Sequence, residues 1–139
     1  MTYGCEVWGH ENYDALEVLQ RSFLKHALRI NKYVSKSIIY GETGLMKLEI
    51  EINTRMIGFW NRTRQGPKSK ISNILFNYTK KLADDSVHET KWVSKIKMIL
   101  NHAGLNYLWN SIGINSTKLK SIIKEKLSLL LYVLIIIRG

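Results

Sequence analysis

Asp84 and Asp85 are the residues whose type and spacing come nearest to chemistry. Adjacent carboxylates at the turn of a hairpin can hold magnesium for phosphoryl transfer, provided apolar strands flank them. Here the flanks are Thr79-Lys80-Lys81 and Ser86-Val87-His88-Glu89-Thr90, polar and charged. The two aspartates are therefore expected to end a helix as turn and cap residues. No second carboxylate cluster is present to complete a two-metal site. Cys5 near His10 could suggest a thiol pair, but a lone cysteine beside Trp8 is usually just buried. The four histidines are scattered, and no second cysteine completes a zinc set. There is no Gly-x-Ser-x-Gly elbow and no phosphate-binding glycine loop. The expectation is a chain without a catalytic centre, a metal or another cofactor.

The basic residues are the stronger candidates. Net charge is +10 over 139 residues. Residues 1–54 hold six Lys/Arg against seven Asp/Glu, and residues 55–139 hold fifteen against four. So uneven a split directs the second part at a polyanion. Arg55, Arg62, Arg64, Lys68 and Lys70 fall in an acid-free stretch that also contains Phe59 and Trp60. Cations at a helix end and in the next loop can neutralise successive phosphates, and aromatic rings can stack on bases. For the two aromatics a core position is favoured; for the arginines, phosphate contact. Lys91 and Lys95 share one helix face and are assigned a supporting role. Lys120 and Lys124 repeat that spacing later, and the sets could line one groove.

Apolar periodicity supplies the elements that would position these side chains. Leu16, Leu19, Phe23, Ala27 and Ile30 recur at spacings of three and four, which predicts a helix from Asn12 to Ile30 with Asn12 as N-cap. A short helical turn follows Ser35 and stops at Gly41 or Gly44. A second long helix runs from about Lys47 to Arg62 on Leu48, Ile52, Met56, Phe59 and Trp60, and Gly66-Pro67 ends that unit. Ile71, Ile74, Leu75, Tyr78 and Leu82 make another stripe, as do Trp92, Val93, Ile96, Ile99, Leu100 and Ala103, with Gly104 as stop. A last helix starts after Ser116. No segment alternates with period two. The fold class expected is all-α, an irregular bundle of five or six helices, with an incomplete domain as the alternative. The expected divisions are a helical region 1–126, with sub-units 1–66 and 67–126, and an apolar tail 127–139 that is foreign to the rest. Residues 127–137 read LSLLLYVLIII, too short for the ~20 residues that span a bilayer.

Tyr3-Gly4-Cys5-Glu6-Val7-Trp8-Gly9, the helix after it, Tyr40-Gly41-Glu42-Thr43-Gly44 and Arg55-Met56-Ile57-Gly58-Phe59-Trp60 carry a resemblance to a known family. Together with weaker likenesses at Trp92 to Leu100 and Gly104 to Trp109, this order is similar to the region beyond the palm of non-LTR (LINE-type) retrotransposon reverse transcriptases. The resemblance covers roughly residues 3 to 126. It implies a helical, thumb-like segment that grips the backbone of template and primer, with the catalytic aspartates lying upstream. The tail after Lys126 departs from the polar ending of that family.

The functional expectation is a non-catalytic remnant of such an RNA-directed DNA polymerase. It would hold DNA or RNA with low sequence specificity through Arg55, Arg62, Arg64, Lys68, Lys70, Lys91 and Lys95. The missing palm of a parent polymerase is a second expected partner. One alternative is a structural or interaction bundle, or a relic without function. Another is a membrane-surface protein anchored by the tail, although a membrane partner is not favoured. One cysteine and an N-terminus unlike a signal peptide predict an intracellular protein, nuclear or cytoplasmic.

Overall fold

A computed structural model describes residues 3–111 and 113–138, with the side chains of residues 131–132, 134–136 and 138 outside the described set. The outer limits of the expected units, Met1 and Gly139, fall outside it as well. Among the described residues there are seven α-helices and no strand: α1 (Cys5–Trp8), α2 (Asp14–Ala27), α3 (Lys36–Thr43), α4 (Leu48–Gln65), α5 (Ile71–Asp84), α6 (Lys91–His102) and α7 (Ser116–Arg138). A 3-10 turn, Asn106–Trp109, joins α6 to the last helix. The molecule is an irregular all-α bundle, as expected. The added element is α1, whose four residues are too few to show periodicity.

The stop signals act where expected. Gly44 and Gly104 take left-handed backbone, φ 62° and 68°, which suits glycine at the end of a helix. Asn12 does not itself cap α2. Its Oδ1 accepts the Asp14 N–H at 2.9 Å and turns the chain into the helix one residue later. Thr90 caps α6 by accepting the Val93 N–H.

The central element is α4, packed against α1, α5, α6 and α7. Ile50, Ile52, Met56, Ile57 and Trp60 are all buried on it. Ile50 and Ile57 lie off the stripe expected for this helix, because a helix covered from several sides needs apolar residues on several sides. Four of its polar residues, Asn53, Thr54, Asn61 and Thr63, are buried too. Asn61 donates from Nδ2 to the Ile114 carbonyl at 2.7 Å, and Asn73 on α5 donates to the Thr63 carbonyl at 2.9 Å. Trp60 stacks with Trp109 at 6.1 Å between ring centres, and Phe76 meets Trp109 edge-on. Trp60 is thus core, and Phe59 packs edge-to-face against Trp92.

The face of α5 is the reverse of the expectation. Asn73, Phe76 and Ala83 are buried. Ile71, Ile74, Leu75 and Tyr78, four of the five residues of the apolar stripe, are 52–74% exposed, and the fifth, Leu82, is half-buried. On α2 the stripe is likewise outward at Leu19 and Phe23, and only Leu16 packs on the core. The last helix continues through residue 126 without a break into the apolar tail.

Candidate functional site

The seven cations expected to hold phosphate have different fates. Arg64 points inward. Its Nη1 donates to the Leu108 carbonyl at 2.5 Å and the Ser111 carbonyl at 3.0 Å, while Nε and Nη2 both donate to Asn61 Oδ1. The guanidinium also covers the Trp60 ring. Burial pulls its pKa below the ordinary arginine value. Four of its five donors are thereby taken by the protein, so Arg64 serves as an internal clamp.

Arg55 is ion-paired one helical turn back, Nε to Glu51 Oε1 at 2.9 Å. That hydrogen bond holds its pKa above the usual value. Lys95 lies 5.7 Å from the centre of the Tyr13 ring, in a hollow shared with Glu11, Asp14, Glu17 and Glu49. Arg21, Lys36 and Lys47 line the same hollow, so four cations meet four acids there and Lys95 does not sit in a net-positive site. Arg62, Lys68, Lys70 and Lys91 are exposed. One continuous groove through all seven is not what the fold builds.

What it does assemble is a cleft between α4 and α7. Arg55 and Arg62 line it from α4, Lys120 and Lys124 from α7, with Glu6 and Glu51 as the acids and a volume of about 370 Å³. Lys124 Nζ is 3.9 Å from Glu51 Oε2, so Glu51 bridges two cations. Gly58 permits this packing: a Cβ there would meet the Lys120 Cε at 2.4 Å. Helical spacing flagged Lys120 and Lys124, but only the α4–α7 contact places them beside Arg55 and Arg62.

The carboxylates do structural work. Asp84 closes α5 and accepts the Trp109 indole N–H at 3.1 Å. Among the described residues no group of three or more His, Cys, Asp or Glu is placed to hold a metal. Cys5 is fully buried, and that burial raises its thiol pKa, which disfavours the nucleophilic thiolate. Glu17 was missed as a tether. Its Oε2 accepts the Tyr40 hydroxyl at 2.9 Å and its Oε1 accepts the Glu49 N–H at 3.0 Å. A carboxylate from α2 thus satisfies a donor in the first turn of α4, where the helix dipole favours negative charge.

The N-terminal motif has a packing account of its own. Gly4 takes φ 68° to start α1, and the Trp8 indole donates to the Tyr3 carbonyl at 2.9 Å. The Trp92 indole donates to the Glu6 carbonyl at 2.8 Å, pinning α1 to α6. At Gly9 a Cβ would fall 2.5 Å from Ile52 Cγ2 and 2.6 Å from the Cys5 carbonyl oxygen.

No family model, curated protein or solved structure matches this chain.

Among the described residues several apolar sets are exposed. The α5 stripe ends near Lys68, Lys70 and Lys81, all exposed. Leu129, Leu130, Val133 and Ile137 on the tail form a second exposed set, with Leu45 and Met46 exposed on the α3–α4 turn.

Proposed function

We propose that this chain is a non-catalytic helical docking module that receives an acidic amphipathic helix along α5. The observation that carries the reading is the outward stripe Ile71, Ile74, Leu75 and Tyr78. These positions recur at three and four and form one seam, the pattern by which helices pack on helices. Burying each such side chain is worth roughly 1.5–3 kcal/mol, a free energy the isolated chain forgoes. Lys68 and Lys70 precede the seam in the chain and Lys81 follows it, all exposed, which favours a partner with Asp and Glu beside its apolar face. Selection from a displayed library of random helical peptides tests this. Ligands recovered should carry apolar residues at three-four spacing with acidic flanks. Leu75→Glu should weaken them about tenfold or more, a loss of roughly 1.4 kcal/mol. Ligands indifferent to Leu75→Glu would remove the proposal.

A second reading is favoured by the α4–α7 cleft: the nucleic-acid grip of a reverse-transcriptase remnant. It is supported by the family resemblance and by Arg62 and Lys120 lying across one cleft, with Lys68 and Lys70 exposed in the loop after α4. Four phosphates engaged would give a slope of log affinity on log salt of about −2.8 to −3.6. Charge reversal at Arg62 and Lys120 should flatten that slope by about 1.4 to 1.8. Binding that ignores salt removes this reading and leaves the docking module standing.

A further inference from the structure

The last helix outruns its support. Leu119 and Ile137 are eighteen residues, five turns, apart and so point the same way. Leu119 is fully buried on α4, whereas Ile137 is 74% exposed. Leu129, Leu130 and Val133 are also exposed, so these side chains meet solvent on the face that packs earlier and on the neighbouring face. Residues 127–137 contain one short polar residue, Ser128. Arg138 follows this run, and an upright tail would carry that cation to the middle of the bilayer, whereas a tail lying along the interface keeps it among the headgroups. Among the described residues no helix is long and apolar enough to cross a membrane.

The base of this tail is basic. Lys118, Lys120, Lys124 and Lys126 precede it on α7 against one acid, Glu125. A groove of about 440 Å³ opens beside Ser128, with Leu45, Met46 and Tyr40 as apolar wall and Lys36 and Lys47 at its rim. The acids of the neighbouring elements are Glu42 on α3, Glu49 and Glu51 on α4 and Glu17 on α2; Glu51 is engaged by Arg55 and Lys124, and Lys36 and Lys47 also line the hollow that holds Glu17 and Glu49.

We infer that α7 and the α3–α4 turn form a membrane-interface anchor, in which the apolar tail lies in the interface of an anionic bilayer and the lysines at its base meet lipid phosphates. Two complementarities select this occupant: exposed apolar side chains against the acyl boundary, and lysines with Arg138 against anionic headgroups. This surface is separate from the α5 seam, and the inference does not depend on it.

Flotation of the full chain with phosphatidylcholine vesicles, with and without phosphatidylserine, is the test. The chain should float with the serine-containing vesicles and be released by salt. Val133→Glu with Ile137→Glu should lower partitioning at least about tenfold while circular dichroism stays unchanged, since both side chains are exposed. Lys124→Ala and Lys126→Ala should each lower it about fivefold. Leu75→Glu should float as the parent chain does. Failure to bind the serine-containing vesicles overturns the inference, as does binding untouched by the tail substitutions. Self-association that depends on Val133 and Ile137 without vesicle binding also overturns it, because a second copy would then cover the tail.

Discussion

The Arg64 guanidinium carbon lies 3.9 Å above the Trp60 ring, and the same guanidinium holds the carbonyls of Leu108 and Ser111. A side chain that would be a phosphate ligand by composition is the bolt between α4 and the 3-10 turn. Its planar fork reaches both carbonyls and Asn61 at once, a geometry that a lysine ammonium cannot copy.

Arg64→Ala should therefore destabilise the fold by about 3 kcal/mol, since it removes several charge-assisted hydrogen bonds and a stacked cation. Arg64→Lys should recover little of that loss. Urea denaturation of the three proteins decides it. A stability unchanged by either substitution would show that the clamp is not holding.

Substitutions on α5 read which face of that helix is inside. Ile74→Lys should stay within about 0.5 kcal/mol of the parent, as exposed substitutions do. Phe76→Ala should cost about 3 kcal/mol, because Phe76 is buried against Trp109. The opposite order of losses would return the apolar stripe to the core.

Two glycines make a contrasting pair. A Cβ at Gly9 would strike Ile52 and the Cys5 backbone, neither free to move, so Gly9→Ala should cost about 2 kcal/mol. At Gly58 the obstacle is the far end of the flexible Lys120 side chain. Gly58→Ala should remain within about 1 kcal/mol, helped by the better helix propensity of alanine. It should also displace Lys120 from the cleft, visible as a changed salt slope if nucleic acid binds there. Thermal melts rank the two directly.

Tyr13 gives a pH dependence with a definite sign. Burial, reinforced by Glu49, Glu17 and Asp14, raises its hydroxyl pKa above the ordinary tyrosine value. The folded state then keeps a proton that the unfolded chain releases near pH 10. The contribution is fully present below that pH, and stability falls as pH rises beyond it. Tyr40 is shifted the same way, chiefly by burial. Tyr13→Phe should leave neutral-pH stability nearly unchanged and shallow the alkaline loss. Denaturation series run on either side of pH 10 measure both, and an unaltered alkaline slope would refute the assignment.

Glu17→Ala tests the tether between α2, α3 and α4. It should cost about 1–2 kcal/mol, from the loss of the acceptor for Tyr40 and for the Glu49 N–H. Tyr40→Phe should cost less, since the Glu49 contact persists. Equal losses would mean that the helix-end contact contributes nothing.

The sequence alone determined the fold class, the order of the long helices and their glycine stops, because three-four periodicity and left-handed backbone are local properties. It also placed Asp84 and Asp85 at a helix end, since polar flanks cannot form the strands of a metal-holding hairpin. Which face of each helix is covered is not local. The stripes of α2 and α5 read as core until the packing left them outward, while α4, surrounded by other helices, buried Ile50 and Ile57 off its stripe. Charge followed the same division. The sequence counted the cations after residue 54, but tertiary contacts gave Arg64 to Trp60, paired Arg55 with Glu51, and set Arg62 across a cleft from Lys120. Burial and pairing arise between segments far apart in the chain, and only the assembled bundle could decide them.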